Sequence, residues 1–377
     1  MKIGFAGRWS PIDKTAWSGI YNQTYRAIQK KYPVEIFNYK WSWQVRESLI
    51  LHKQFQKIIH KKAAVEFLKG YAKYFSRQLE KELLKKKVDL LFVPSAPQLI
   101  AYCKTDIPII YMTDATFFQL QGYYPLFRDI ADYNIRQGVA LDKSAFENSA
   151  HCMLATDWAK QSAIKDYGID ENKITIAPFG ANLEKTPGLD ELKKEKNKVC
   201  NLLFLGVEWE RKGGQIALDA FRILQKNGFP SHLTIIGCVP PVPVPDKNIT
   251  VIPFINKKNK AEADKLYEIT RNSDFLLLPT RAECSGIVYC EAGAFGVPSI
   301  TTDTGGVSTN VQHGINGFTL PLSATAYDYA DIIQKTFCND DVYWQLSKNC
   351  RKKFEEELNW DHWGSTFFNI AEKILNK

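Results

Sequence analysis

The chain has 377 residues, 45% hydrophobic and 24% charged, with a formal net charge of +8. That is enough for two ordinary domains with normal cores, and it excludes a disordered chain. No apolar run approaches the ~18 residues of a membrane-spanning helix, and no recognition motif accompanies the positive charge, so no nucleic-acid partner is expected.

In chain order, the start MKIGFAGRWS lacks the long apolar segment of a signal peptide and predicts a first strand, so a cytoplasmic location is expected. VEIFNY predicts the second strand. Residues 52–87 then carry eleven Lys/Arg against three Glu, which accounts for the whole formal excess. Their apolar residues (Phe55, Ile58, Ile59, then Phe67, Leu68, Tyr71, Phe75, Leu79 and Leu83) recur at helical spacing, predicting one or two amphipathic helices with a basic outer face. That face is either simply solvated or drawn to anionic lipid or an acidic acceptor. VDLLFVP, IPIIYMTD, HCMLAT and KITIAPFG complete the strands of a first half. The polar stretch NLEKTPGLDELKKEKN, 182–197, is expected to mark a domain boundary. VCNLLFLG, HLTIIG, NITVIPF, DFLLLPT and PSITTD are the strands of a second half, and a last helix is expected from about Asp361 to Leu375. Continuously apolar strands alternating with helical patterns predict two doubly wound α/β domains. The eight cysteines show no metal-binding or disulfide spacing and are expected as reduced, mostly buried thiols.

Open α/β sheets bind ligands at the carboxyl ends of their strands, so the residues after each strand carry the functional reading. After 202–205 come Gly206 to Gly214, with Arg211 and Lys212 in the loop and a glycine pair opening the next helix. Arg as a planar fork and Lys as a point charge suit a diphosphate, although exposed loop charges are the alternative. After 274–279 comes Thr280-Arg281-Ala282-Glu283-Cys284-Ser285-Gly286, then a helix predicted from Gly286 to Phe295 and closed by Gly296 and Pro298. Glu283 sits in the loop, Glu291 on the helix, and the amides near Cys284–Val288 lie at a positive helix end. Two carboxylates and a set of N–H donors suit a polyhydroxylated ligand that carries phosphate; for Glu291 a paired structural carboxylate is the alternative. The Gly305-Gly306 turn after 299–302 adds amides.

With FLGVEWERKGG, PTRAECSGIVYCEAGAFGVPSITTDTGGV and GINGF in view, the second half resembles glycosyltransferase family 4. TDWAKQSAIKDYGIDENKITIAPFGAN resembles that family's approach to its domain crossover, and NWDHWGSTFFNIAEKIL its closing helix, so the resemblance covers about residues 150–377. It implies an α/β GT-B fold of two Rossmann-like, doubly wound domains facing across a cleft. Residues 1–182 would be the acceptor side, 183–360 the nucleotide-sugar-binding domain, and 361–377 a helix packing back on the first. It implies a retaining glycosyltransferase that uses a nucleotide-diphosphate sugar and passes it to a glycan, lipid-linked or protein acceptor, without a metal or other cofactor; the absence of any D-x-D agrees with this. Arg211 and Lys212 would hold the diphosphate, and Glu283 the sugar hydroxyls with help from the Cys284, Ser285 and Gly286 backbone. Ile287 and Val288 amides would meet the distal phosphate, Glu291 the ribose, and Ile255 the base through its backbone. In WSGIYNQTYRAI, Gly19 would let acceptor and donor phosphate approach the chain. The family's first loop has two glycines where this chain has Gly19 alone. Its mid-domain histidine is replaced by Asp114, which either orients a substrate hydroxyl or caps the next turn. A nucleotide-sugar hydrolase or epimerase, or a non-catalytic nucleotide-sugar-binding scaffold, is the alternative on the same fold. The basic residues 52–87 would add peripheral contact with an anionic membrane on the cytosolic face.

Overall fold

The computed structural model describes residues 1–38, 60–193 and 195–376, together with 45, 47, 50, 52 and 54. The chain divides into two units, one of Met1–Pro178 and the chain from Trp360 onward, the other of Phe179–Asn359.

The sheet of the first unit contains β1 (Ile3–Gly7), β2 (Val34–Asn38), β3 (Leu90–Pro94), β4 (Ile109–Thr113), β5 (His151–Leu154) and β6 (Ile174–Ile176). Their order is β2-β1-β3-β4-β5-β6, and every neighbouring pair is parallel. Every residue of β1, β3 and β4 is buried, which is why these runs are apolar without alternation. The order reverses between β1 and β3, so the loops after those two strands flank a topological switch point. Helix α1 (Ile20–Gln29) follows β1.

In the basic stretch, α2 spans Lys69–Leu83 and buries Ala72, Phe75 and Leu79. Lys69, Lys73, Arg77 and Lys81, at four-residue steps, form its exposed stripe. Phe67 and Leu68 precede the helix, in and just after a short turn of 3-10 helix. Phe55, Ile58 and Ile59, expected on an apolar helix face, lie outside the described residues. Helices α3 (Asp132–Asn148) and α4 (Asp157–Lys165) follow β4 and β5.

The sheet of the second unit contains β7 (Cys200–Leu205), β8 (Ser231–Ile236), β9 (Ile249–Ile252), β10 (Phe275–Leu278), β11 (Ser299–Thr302) and β12 (Gly317–Leu320). The order β12-β11-β10-β7-β8-β9, again parallel throughout, places its switch point between β7 and β10. Helices α5 (Gly214–Lys226), α6 (Lys260–Asn272), α7 (Ile287–Ala294), α8 (Ala326–Phe337) and α9 (Asp340–Glu356) flank it.

All eleven strand segments expected from the sequence are present. The twelfth, β12, was not foreseen because GFTL is short, starts with glycine and alternates with a polar residue. Its glycine is needed: a Cβ on Gly317 would lie 2.4 Å from the Ser299 carbonyl oxygen of β11. The polar stretch 182–197 belongs to the second unit and is fastened to it. Lys193 pairs with Asp274, which is fully buried, and Asn197 Nδ2 donates to the same carboxylate at 3.1 Å.

The last helix, α10 (Trp360–Leu375), lies in the first unit. Trp363 and Phe367 are fully buried, with ring centroids 5.6 and 5.4 Å from that of Phe92 on β3. Gly364 brings the helix against Ala27 of α1, where even a Cβ would reach 3.6 Å. Tyr32 Oη donates to Glu372 at 2.7 Å, and Lys30 pairs with Asp361. None of the eight cysteines forms a disulfide, and six are buried. Among the described residues, no helix is long and apolar enough to cross a membrane.

Candidate functional site

At the switch point of the second unit, the loop after β7 and the loop after β10 are built into one another. Gly213 has φ +73°, and a Cβ there would lie 1.9 Å from the Pro279 carbonyl oxygen. Only glycine permits that approach and that backbone together. A Cβ on Gly214 would strike Trp209 at 2.3 Å. The close approach lets Arg281 N donate to Arg211 O at 2.7 Å and the buried Thr280 hydroxyl to the same oxygen at 3.2 Å.

Three charged side chains therefore meet. Lys212 and Glu283, each with a side chain 10% exposed, form an ion pair. Arg211 Nη1 lies 3.6 Å from the same Glu283 oxygen and donates to Ala282 O at 2.9 Å, while Nη2 donates to Glu208 Oε1 at 2.8 Å. That bond from Arg211 is the main reason the Glu208 carboxyl is held below its ordinary value. Isolated buried charges are costly, and pairing is what allows these groups to sit here.

Beyond Glu283 the chain turns at Gly286, whose φ +80° and ψ 80° are left-handed and whose Cβ would lie 2.4 Å from the Tyr289 ring. Helix α7 begins at Ile287, as expected to within a residue, and ends at Ala294, with Gly296 at φ +66° just beyond. Its first amides, those of Ile287 and Val288, have no intrahelical acceptor and stand at the positive end of the helix. Tyr289 anchors the helix through a 2.8 Å hydroxyl contact with Thr301 of β11. Cys284 and Ser285 are buried in the turn. On α7, every residue from Tyr289 to Ala294 is buried. Glu291, 6% exposed, is the one charge among them, and its Oε1 accepts from Lys257 Nζ at 2.7 Å. Lys257 comes from the loop after β9, which Asn256 N pins to Glu262 of α6 at 2.7 Å. Ile255, in the same loop, packs partly buried against the core of the unit.

Sequence reasoning had placed Arg211 and Lys212 after one strand and Glu283, Cys284 to Val288 and Glu291 after another; the structure brings Arg211, Lys212 and Glu283 together, with Cys284 to Val288 leading on into α7, while Glu291 further along that helix pairs with Lys257. It missed Glu208 and Lys257. Glu208 was visible as an i, i+3 partner of Arg211. Lys257 is 34 positions from Glu291, a pairing set by the strand order and not by spacing.

Gly19 and Asp114 lie in the first unit. Gly19, φ +89°, is the N-cap of α1, and Trp17 and Ser18 before it are also left-handed, at φ 48° and 55°. Tyr21 braces this turn: its hydroxyl donates to Pro94 O at 2.6 Å and accepts from Arg8 N at 3.1 Å. Asp114 follows β4 and is partly exposed. The next helical turn, Phe117–Leu120, takes its cap from Thr116 in a reciprocal box with Gln119. The sequence reading passed over Arg8, just after β1, whose guanidinium pairs with Glu66 at 2.8 Å; burial pushes the Glu66 carboxyl up. The strand-end rule applied to GFAGRW would have found Arg8. Among the described residues, no group of three or more His, Cys, Asp or Glu gathers as a metal site.

Residues 200–339 match the family described as Glycosyl transferases group 1. A D-inositol 3-phosphate glycosyltransferase from Jonesia denitrificans is 24% identical over 251 residues, 62% of this chain and 59% of that protein. The chain spans about half to three-fifths of the length of the curated relatives it matches. Among solved structures, a sucrose-phosphate synthase from Thermosynechococcus elongatus has a TM-score of 0.71 at 14% identity, covering 100% of this chain and 99% of that one. Anabaena HepE in complex with UDP-glucose has a TM-score of 0.62 at 14% identity, covering both chains fully. These likenesses establish the fold as GT-B.

Proposed function

We propose that this chain, whose residues 200–339 match the family described as Glycosyl transferases group 1, is a retaining, metal-independent glycosyltransferase that moves a sugar from a nucleoside-diphosphate sugar to a hydroxyl acceptor. The observation that carries the reading is the meeting of Arg211, Lys212 and Glu283 at the switch point between β7 and β10, with Glu283 four residues before the start of α7.

In this reading the diphosphate lies against Arg211, Lys212 and the Ile287 and Val288 amides. The bond from the anomeric carbon to the diphosphate breaks, and its electron pair leaves with the phosphate. Donors aimed at that growing charge each contribute about 3–4 kcal/mol in a water-poor site. Glu283 accepts hydrogen bonds from hydroxyls of the sugar, with the Cys284, Ser285 and Gly286 backbone beside it. Glu291 takes the ribose hydroxyls and Ile255 meets the base. The acceptor oxygen attacks the same face that the phosphate leaves, and its proton passes to a phosphate oxygen, so no enzyme carboxylate becomes a covalent nucleophile. Asp114 orients a substrate hydroxyl, and Gly19 leaves room for acceptor and phosphate. The family match over 200–339 and a GT-B neighbour that holds UDP-glucose support a nucleotide-sugar donor. The exposed Lys/Arg stripe of α2 supports a peripheral contact with an anionic membrane surface and an acceptor held there.

Titration of the purified protein with UDP, GDP, ADP, CDP and dTDP in EDTA tests the donor site. Selective micromolar binding of one diphosphate is expected. Binding of none returns the site to a structural role and puts a non-catalytic scaffold first. Binding that requires added divalent metal overturns metal independence alone, and donor turnover without any acceptor points to a hydrolase.

A further inference from the structure

The loop after β10 is held from behind by the segment after β11. Gly306 N donates to Glu283 O at 3.2 Å, and two residues on, Asn310 Nδ2 donates to Ser285 O at 2.8 Å. Asn310 is 1% exposed and closes the short helix Val307–Asn310. It is held in turn by Asn316 of the GINGF turn, whose Nδ2 donates to Asn310 O at 2.9 Å and whose Oδ1 accepts from Gln312 N at 2.7 Å. Only the amide nitrogen of Asn310 can serve a carbonyl, so the orientation of that side chain is set by its partner.

In a trans peptide the carbonyl and the following N–H point in opposite directions. Fixing Ser285 O on Asn310 therefore turns the Gly286 N–H away from the 306–310 segment. The local chain does not make that choice, because a glycine at position 286 accepts either sign of φ and lets the 285–286 peptide flip. The buried Ser285 hydroxyl on the same peptide has no partner among the described residues, and buried polar groups are ordinarily satisfied.

We propose that Asn310 is the positioning residue that sets which way the Ser285–Gly286 peptide faces, and that it thereby controls how strongly the site prefers a nucleotide sugar to the free nucleoside diphosphate. This rests on the donor-site reading above. Asn316, one bond further back, supports the same orientation. Asn310 itself acts only through the Ser285 carbonyl.

The test compares affinities for the preferred nucleoside diphosphate and the corresponding nucleotide sugar by calorimetry, in wild type, Asn310→Leu and Asn310→Ser. Leu keeps the volume and removes the donor; Ser is the smaller change should Leu not fold. The expected result is a tenfold or larger loss of nucleotide-sugar affinity with diphosphate affinity changed less than twofold, and a smaller loss of the same kind in Asn316→Ala. An equal loss for both nucleotides makes Asn310 a merely structural residue and overturns the proposal, as does an unchanged preference. If wild type binds no diphosphate, it is the donor-site reading that fails, and that is seen before any variant is made.

Discussion

Glu283 and Lys212 are two charges almost removed from water, and each is tolerable because the other is there. The same carboxylate oxygen lies 3.6 Å from Arg211, which also pairs with the half-exposed Glu208, so Glu283 is the anion both cations share at the place where a diphosphate would bring its own negative charge. Glu283→Gln leaves Lys212 without that anion. Breaking a buried pair of this kind costs about 3–5 kcal/mol, so the variant is expected to melt lower than wild type. Its cations then favour an added anion, and a nucleoside diphosphate should raise its melting temperature more than that of wild type. Transfer should fall by about a hundredfold or more. Retained turnover with the fold intact removes Glu283 from the sugar-binding role.

At the scale of elements, α3 presents Asp142 to a pocket of aromatic residues from three other segments. The carboxylate, 2% exposed, accepts from Phe117 N at 2.8 Å and is hydrogen-bonded by Tyr111 of β4 and Tyr167 after α4, with Cys152 of β5 nearby. Burial dominates and pushes its pKa up to about 7 from an ordinary 3.8. Between those values the folded chain keeps a proton that the unfolded chain has lost. Its contribution is therefore fully present below pH 4, falls by at most about 1.4 kcal/mol per pH unit as pH rises, and is gone above 7. Asp142→Asn abolishes the titration. The melting temperature of wild type relative to this variant is expected to rise as pH is lowered from 7.5 to 4.5; a constant difference shows that Asp142 is ionised throughout.

For the whole molecule, the formal +8 sits entirely within residues 52–87. Like charges at i, i+4 on α2 cost the helix about 0.2–0.5 kcal/mol per pair, whereas each Lys or Arg near an anionic lipid surface gains about 1 kcal/mol. Vesicles with anionic lipid are expected to bind the protein in a salt-sensitive way, and neutral vesicles are not. Lys73→Glu, Arg77→Glu and Lys81→Glu together should abolish this and leave nucleotide affinity unchanged. Binding that survives the triple change places the contact elsewhere; wild type that binds neither kind of vesicle ends the membrane reading.

The apolar runs by themselves located eleven strands, several of them continuously apolar, as parallel strands covered on both faces are. The punctuation RKGG, ECSG and DTGG located strand ends, and with them Arg211, Lys212, Glu283 and Glu291. Glycine at 213, 286 and 296 was legible as chain reversal and helix boundary, since a left-handed backbone strongly favours that residue. Only the tertiary structure decided who faces whom. Strand order put the β7 and β10 loops side by side, so that Lys212 met Glu283 across 71 residues. It brought Lys257 to Glu291 and Asn310 to the Ser285 carbonyl, and it made the polar stretch 182–197 a tied edge through the buried Asp274. Spacing in sequence encodes which face of one element is buried; the partners of a buried charge come from parallel strands that are neighbours in the sheet and far apart in the chain.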